Sequence, residues 1–125
     1  MPEQIRFTTR VLGPAAAYGL ERHQVIQTLR SESDSVTNAI LLGRVSAGDR
    51  LEVVLDNVLV GEAELVSMDA VTWEALGIAD AHRGGFDSRL EELKAALERA
   101  GFRFKPLNEY ALFRIQFAWL EEAYV

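Results

Sequence analysis

Short segments of the chain alternate apolar and polar residues with a period of two, the pattern of half-buried β-strands. Residues 4–11 place Ile5, Phe7 and Val11 on one face and two arginines and a threonine on the other. Residues 25–30 carry β-branched and apolar side chains that also suit a strand. The first thirty residues therefore predict two strands.

Two further apolar segments, residues 51–55 and 58–66, flank the dipeptide Asp56–Asn57. Because such dipeptides favour tight turns, these segments predict a β-hairpin. The sequence Ser-Ala-Gly-Asp at residues 46–49 predicts the turn that leads into it. Large apolar residues alternate again over residues 113–119. We expect this last strand to close a barrel beside the first strand, because its apolar face has to be covered.

Helical signals are fewer. A proline in the first turn predicts a short helix over residues 15–22. Leucines at i, i+3 and i+7 predict a helix over residues 88–100, with a capping box of Ser88 and Glu91 and a stop at Gly101. Residues 69–74 predict a short helical turn. Several short strands with a minority of helix predict a β-barrel or an α+β domain.

Composition narrows the class of protein. Residues 1–125, 49% of them hydrophobic, are expected to form one globular domain around one core. No apolar run approaches the roughly 18 residues that cross a bilayer, and the N-terminus lacks a secretory pattern, so a cytoplasmic protein without a membrane partner is expected. With no cysteine and two histidines, the chain predicts no disulfide, no metal site and no cofactor.

Charge is distributed unevenly along the chain. The net charge of −6 argues against a protein that coats long nucleic acids by charge alone. Residues 1–50, however, hold six arginines and five acids, whereas the remaining residues hold seven of the 13 bases and 14 of the 19 acids. An anion-binding site is therefore expected in the N-terminal part of the chain.

The second predicted strand runs into a polar segment, so that residues 28–35 read Thr-Leu-Arg-Ser-Glu-Ser-Asp-Ser. Arg30 could hold a phosphate or a base edge through two parallel hydrogen bonds. An ion pair with Glu32, Asp34 or Asp49 is the competing interpretation. Downstream, His82–Arg83 precedes two glycines, which let a backbone approach a ligand closely or simply allow a turn with positive φ.

Three segments in order resemble the ASCH domain family. The first is Thr28–Ser35, similar to the family's strand-to-loop motif. The second is Gly48–Val53, similar to its Gly-Asp turn before a barrel strand. The third begins with Gly85–Phe86 before a helix and ends with the strand Tyr110–Phe117. Together they span about residues 25–120.

This resemblance implies a single PUA-like β-barrel with a few short flanking helices over residues 1–125. It also implies a polar cleft beside the barrel, floored by the strand Thr28–Arg30, and recognition of RNA or of a modified nucleoside or nucleotide. The residues expected to bind the ligand are Thr28, Arg30, Ser31, Glu32, Ser33, His82 and Arg83.

One branch of the family removes acyl groups from acylated cytidine, using a threonine, a lysine and a glutamate. Thr28 matches the threonine, but Val25 and about Gly84 occupy the lysine and acid positions. A hydroxyl nucleophile needs an adjacent base, so an amidohydrolase, with His82 or Glu32 substituting, is the second hypothesis after a binding domain. A protein-interaction domain without a small ligand is the third.

Overall fold

The computed structural model describes residues 2–102 and 112–120. The predicted hairpin lies in the middle of its β-sheet. Asp56 and Asn57 both adopt positive φ angles, 49° and 68°, as a two-residue turn between antiparallel strands requires. They join β3 (Arg50–Leu55) to β4 (Val58–Val71). This hairpin confirms the prediction, although β4 continues five residues beyond its predicted end.

The remaining elements are short. Within the described residues, three more strands, five α-helices and one 3₁₀ turn surround the hairpin: β1 (Glu3–Phe7), α1 (Thr9–Leu12), α2 (Pro14–Glu21), β2 (Gln27–Arg30), α3 (Ser35–Leu41), the 3₁₀ turn (Trp73–Ala75), α4 (Ile78–Arg83), α5 (Leu90–Arg99) and β5 (Leu112–Trp119). The predicted turn at residues 46–49 precedes β3, and the helical turn predicted from residue 69 begins only after β4 ends.

The five strands form one mixed sheet in the order β1-β3-β4-β5-β2. β1 pairs with β3 in parallel, and the other neighbours are antiparallel. Register shifts at Val53/Val54 and Leu65/Ser67 mark bulges, which increase local twist. The sheet curls into a half-barrel with a few short helices, the PUA-like α+β fold that the sequence predicts.

The predicted closure of the barrel is wrong. β5 does not lie beside β1; it lies between β4 and β2. Its apolar face is covered within the core, where Ile115 and Phe117 are buried, so closure is not needed to shield it. β1 and β2 consequently form the two edges of the sheet, and the gap between them is called here the open side of the half-barrel.

Two hydrophobic clusters lie on either side of this sheet. The larger fills the half-barrel and includes Ile5, Val53 and Ile115. The second packs α4 and α5 against the other side through Leu29 of β2, with Leu93 and other residues of the helices. β2 therefore contributes Leu29 to the second cluster, which lies on the face of the sheet opposite the larger one.

Local signals explain where the helices differ from prediction. β1 ends at Phe7 rather than at residue 11 because the Thr8 hydroxyl accepts from the Val11 N–H at 3.4 Å and begins α1. Both α2 and the helix within residues 88–100 are confirmed. The predicted capping box is wrong, since Arg89 occupies the N-cap position and Ser88 has a φ of 61°.

Candidate functional site

A cavity of about 530 Å³ lies at the open side of the half-barrel. Phe7 of β1 and all four residues of β2 line it, α1 contributes Val11, and α5 contributes an apolar wall that includes Leu93 and Leu97. The Arg99 guanidinium donates from Nε to the Val11 carbonyl at 2.8 Å and holds α5 against α1. The volume lies within the range of small-molecule sites in proteins.

Arg30 is one of four charged residues that line this cavity among the described residues, with Arg6, Asp34 and Asp80. Its Nε donates to the Thr28 hydroxyl at 2.9 Å, and its Nη1 donates to Asp34 Oδ1 at 3.2 Å. Burial lowers the pKa of the Arg30 guanidinium, and the Asp34 carboxylate offsets this in part. Because an arginine pKa lies far above neutrality, the group stays charged at pH 7.

The position of Arg30 is fixed by the start of α3. Asp34 is the N-cap residue, and its Oδ2 accepts from the N–H groups of Val36 at 3.1 Å and Thr37 at 3.4 Å. The same carboxylate therefore caps the helix and orients the guanidinium. Among the described residues these contacts engage two of the five N–H donors of Arg30. The other three have no hydrogen-bond acceptor within the part of the chain that the structure describes.

The remaining predicted residues of the β2–α3 segment do not share one position. Thr28 and Ser31 line the cavity, as Arg30 does. Glu32 and Ser33 are exposed and are not part of its lining. Ser33 instead makes a hydroxyl–hydroxyl hydrogen bond of 2.9 Å with Ser31.

His82 and Arg83 lie on α4, outside the cavity lining. His82 is exposed. Arg83 is engaged in a polar cluster, donating to Gln27 Oε1 at 2.6 Å and to Asp80 Oδ1 at 2.9 Å. Gly85 has a φ of +92° and packs so closely that an added Cβ would lie 2.7 Å from Val25, so this glycine serves a turn and a close packing contact.

Asp80 is a charged group of the cavity wall that the sequence analysis missed. Its Oδ1 accepts from Gln27 and Arg114 at 2.9 and 2.8 Å, and its Oδ2 accepts from the Gly77 N–H at 3.0 Å. Burial alone would raise the pKa of Asp80, but the hydrogen bonds from Gly77, Arg114 and Gln27 outweigh it and hold the pKa at about 2. The carboxylate is therefore ionised at neutral pH.

The cluster extends from Asp80 along β5. Arg114 makes two parallel hydrogen bonds to the Asp69 carboxylate, at 3.0 and 2.7 Å. Gln116 donates to Gln27 Oε1 at 3.1 Å. The six residues joined in this way are called here the Asp80 network: Gln27, Asp69, Asp80, Arg83, Arg114 and Gln116. They join β2, β4, β5 and α4, and no local sequence pattern connects them.

The positions expected to carry the amidohydrolase chemistry hold no proton acceptor. Val25 is fully buried in the core, and Gly84 lines the cavity without a side chain. The side chain that contacts the Thr28 hydroxyl is Arg30, which donates to it. His82 and Glu32 do not belong to the cavity lining. The geometry around Thr28 supplies a hydrogen-bonding group rather than an activated nucleophile.

Comparison with known proteins identifies the fold. No protein-family model matches the chain, and no curated protein matches it in sequence. A crystal structure of an ASCH domain from Lactobacillus crispatus JV V101 superposes with a TM-score of 0.59 and 16% identity, over 83% of this chain and 69% of that one. A protein from Enterococcus faecalis V583, described by the family model DUF984, gives a TM-score of 0.62 and 15% identity over 96% and 80%.

The chain therefore has the fold of an ASCH-like domain, as the resemblance of its motifs predicts. Within residues 2–102 and 112–120, no helix is long and apolar enough to span a bilayer. The same described ranges contain no group of three or more histidine, cysteine, aspartate or glutamate side chains placed to hold a metal ion.

Proposed function

We propose that this domain binds a nucleotide or a short RNA element in the cavity at the open side of the half-barrel. The observation that carries the proposal is the charged, half-buried guanidinium of Arg30 in the wall of a cavity of about 530 Å³. A forked donor of this kind suits a phosphate or a base edge. The Thr28 and Ser31 hydroxyls lie beside it, and the apolar side chains of α5 supply surface for a base.

Binding without turnover fits the site better than hydrolysis. The Thr28 hydroxyl accepts a hydrogen bond from a permanently charged arginine, and an arginine does not remove a proton at neutral pH. The nearby Asp34 carboxylate is committed to Arg30 and to the first turn of α3. Hydrolysis of an acylated cytidine is therefore the second hypothesis, because no general base contacts Thr28 among the described residues.

The experiment is an amide NMR titration of the protein with the four nucleoside 5′-monophosphates, a short single-stranded RNA and N4-acetylcytidine. We expect shift changes at Thr28–Ser31 and at α5, and no release of acetate. Arg30→Gln should weaken binding at least about tenfold, the cost of losing one charge-assisted hydrogen bond. Arg44→Gln, at an exposed position outside the cavity, is the matched control.

Three outcomes would count against the proposal. Release of acetate that stops in Thr28→Val would establish the amidohydrolase instead. A titration without shift changes for every nucleotide and RNA would favour a protein-interaction domain. Unchanged affinity in Arg30→Gln would remove Arg30 from the site.

A further inference from the structure

β2 has one edge that the sheet does not use. Within residues 2–102 and 112–120 it pairs with β5 alone, with Thr28 opposite Ile115. Immediately before the strand, the Phe117 N–H donates to the Ile26 carbonyl at 3.0 Å. In an antiparallel ladder, hydrogen-bonded and non-hydrogen-bonded residues alternate. Residues 28 and 30 therefore direct their N–H and C=O groups toward β5, and Gln27 and Leu29 direct theirs to the opposite edge.

That opposite edge faces the cavity. Successive side chains of a strand point to opposite faces, so Thr28 and Arg30 lie on one face and Gln27 and Leu29 on the other. All four nevertheless line the same cavity. A space lined by consecutive residues from both faces of a strand is expected along the edge of that strand. The N–H and C=O of Leu29, which have no hydrogen-bond partner among the described residues, therefore point toward the cavity.

We propose that the main-chain N–H and C=O of Leu29 bind the hydrogen-bonding edge of a nucleobase. This inference rests on the proposed function and states which part of the nucleotide the site reads. The two groups of one extended residue lie side by side and can exchange two hydrogen bonds with a facing partner. The Watson–Crick edge of an unpaired base offers a donor beside an acceptor, which is how single-stranded bases are recognised.

The rest of the cavity suits a base held in this way. Leu93, Leu97 and Phe86 supply apolar surface against which a ring face packs. Arg30 is next to Leu29 in sequence, on the adjoining face, where it can meet the ribose or phosphate. A base bound at Leu29 would thus use the polar strand edge and the apolar helix at the same time.

A peptide strand is the competing occupant of a free sheet edge. Strands usually extend over five or six residues, whereas β2 has four residues and turns two of them, Gln27 and Leu29, outward. α1 and α5 also enclose the space beyond this edge, held together by the Arg99 bond to Val11. A flat ring needs one donor–acceptor pair, so it fits this edge better than a strand does.

The first test compares two isomers of methylated uridine 5′-monophosphate. The 3-methyl isomer lacks the N3–H donor of the base edge, whereas the 5-methyl isomer keeps it and has the same mass and apolar area. We expect the 3-methyl isomer to bind about tenfold to hundredfold more weakly, because a buried backbone group loses its partner. With the unmodified nucleotide, the Leu29 amide proton should shift and exchange more slowly with solvent.

Two variants separate the main chain from the side chain. Leu29→Pro removes the N–H that faces the cavity, and it leaves the ladder to β5 intact because proline is tolerated at an edge position of this kind. Leu29→Ala removes most of the same side chain but keeps the N–H. Leu29→Ala therefore measures what the buried side chain contributes, and we expect Leu29→Pro to bind at least about tenfold more weakly than Leu29→Ala.

The outcomes distinguish this inference from the proposed function. Equal affinity for the two isomers, or an unperturbed Leu29 amide in a saturated complex, would overturn the edge contact while nucleotide binding stands. If neither the four nucleotides nor the short RNA binds, the proposed function fails as well. Protection of the Leu29 amide by an extended peptide but by no nucleotide would replace both with strand addition. If Leu29→Pro does not fold, the isomer comparison on the unmodified protein decides.

Discussion

The guanidinium carbon of Arg30 lies 4.7 Å from the centre of the Phe7 ring. Arg30 ends β2 and Phe7 ends β1, the two edges of the sheet. Their contact therefore spans the open side of the half-barrel, where no backbone hydrogen bonds join the two strands in the described ladder. Arg30 therefore bridges the two edge strands through its contact with Phe7, and it also lines the cavity.

Replacing the Phe7 ring should show how much its contact with Arg30 contributes to stability. We expect Phe7→Leu to lower the free energy of unfolding by about 1–2 kcal/mol, from lost packing and the lost cation–π contact. In a double-mutant cycle with Arg30→Met, measured by urea unfolding, the two residues should couple by about 1 kcal/mol. Strictly additive effects would mean that the contact carries no stability.

The Asp80 network should contribute substantially to stability. Asp80→Asn leaves Arg114 and Arg83 facing a neutral amide in a buried setting, and we expect a loss of about 3 kcal/mol in the free energy of unfolding. Asp87→Asn is the matched control, because Asp87 is exposed and its φ of 50° suits asparagine. Equal stability of the two variants would contradict a structural role for the network.

Asp80 also predicts a pH dependence. Its pKa falls from an ordinary 3.8 to about 2 in the folded protein, so folding favours the carboxylate. The resulting stabilisation, about 2 kcal/mol, is fully present above roughly pH 5 and is lost as the pH falls toward 2. Urea unfolding at intervals between pH 7 and pH 2 should give a steeper loss for the wild type than for Asp80→Asn. Parallel curves would refute this assignment.

Because Gly61 has no side chain, the His23 ring can pack directly against its Cα. The His23 ring stacks on Trp119 with centroids 4.0 Å apart, and a Cβ at Gly61 would lie 2.8 Å from His23 Nε2. We expect Gly61→Ala to destabilise the protein by about 1–2 kcal/mol. The same change should cost less in a His23→Gly background, where Trp119 Cζ3 still lies 3.2 Å from the added Cβ and the φ of 60° at residue 23 is easily adopted. Thermal unfolding of the four proteins tests this, and an equal cost in both backgrounds would exclude the clash.

Elements with strong local signals could be predicted from the sequence. Asp56–Asn57 between alternating segments predicts the central hairpin, a proline predicts α2, and regularly spaced leucines predict α5. The missed helices lack such signals. α3 follows a serine-rich segment that resembles a loop, and its start depends on Asp34 acting as the cap. α4 has six residues, too few for an apolar period to be recognised.

The site was predictable to the same extent. The segment around Thr28–Ser31 does line the cavity, because β2 is contiguous in sequence. The Asp80 network was not predictable, since Gln27 and Asp80 are 53 positions apart and meet only after β2, β5 and α4 pack together. The edge position of β2 was not predictable for a related reason, since it depends on the order of the strands in the sheet. The sequence pattern predicts β5 beside β1 instead.

The strand order also determines at what stage of synthesis the cavity at the open side of the half-barrel can form. β1 and β2 leave the ribosome first, but β1 needs β3, and β2 needs β5, where Gln116 follows Gln27 by 89 positions. Contacts over such separations form slowly, because the entropy cost of closing a long loop comes before the contacts that stabilise it. The hairpin and β5 are therefore expected to assemble first and recruit the N-terminal strands onto both edges. A nascent chain whose Gln116 is still inside the ribosome has all the residues of β2 but no cleft.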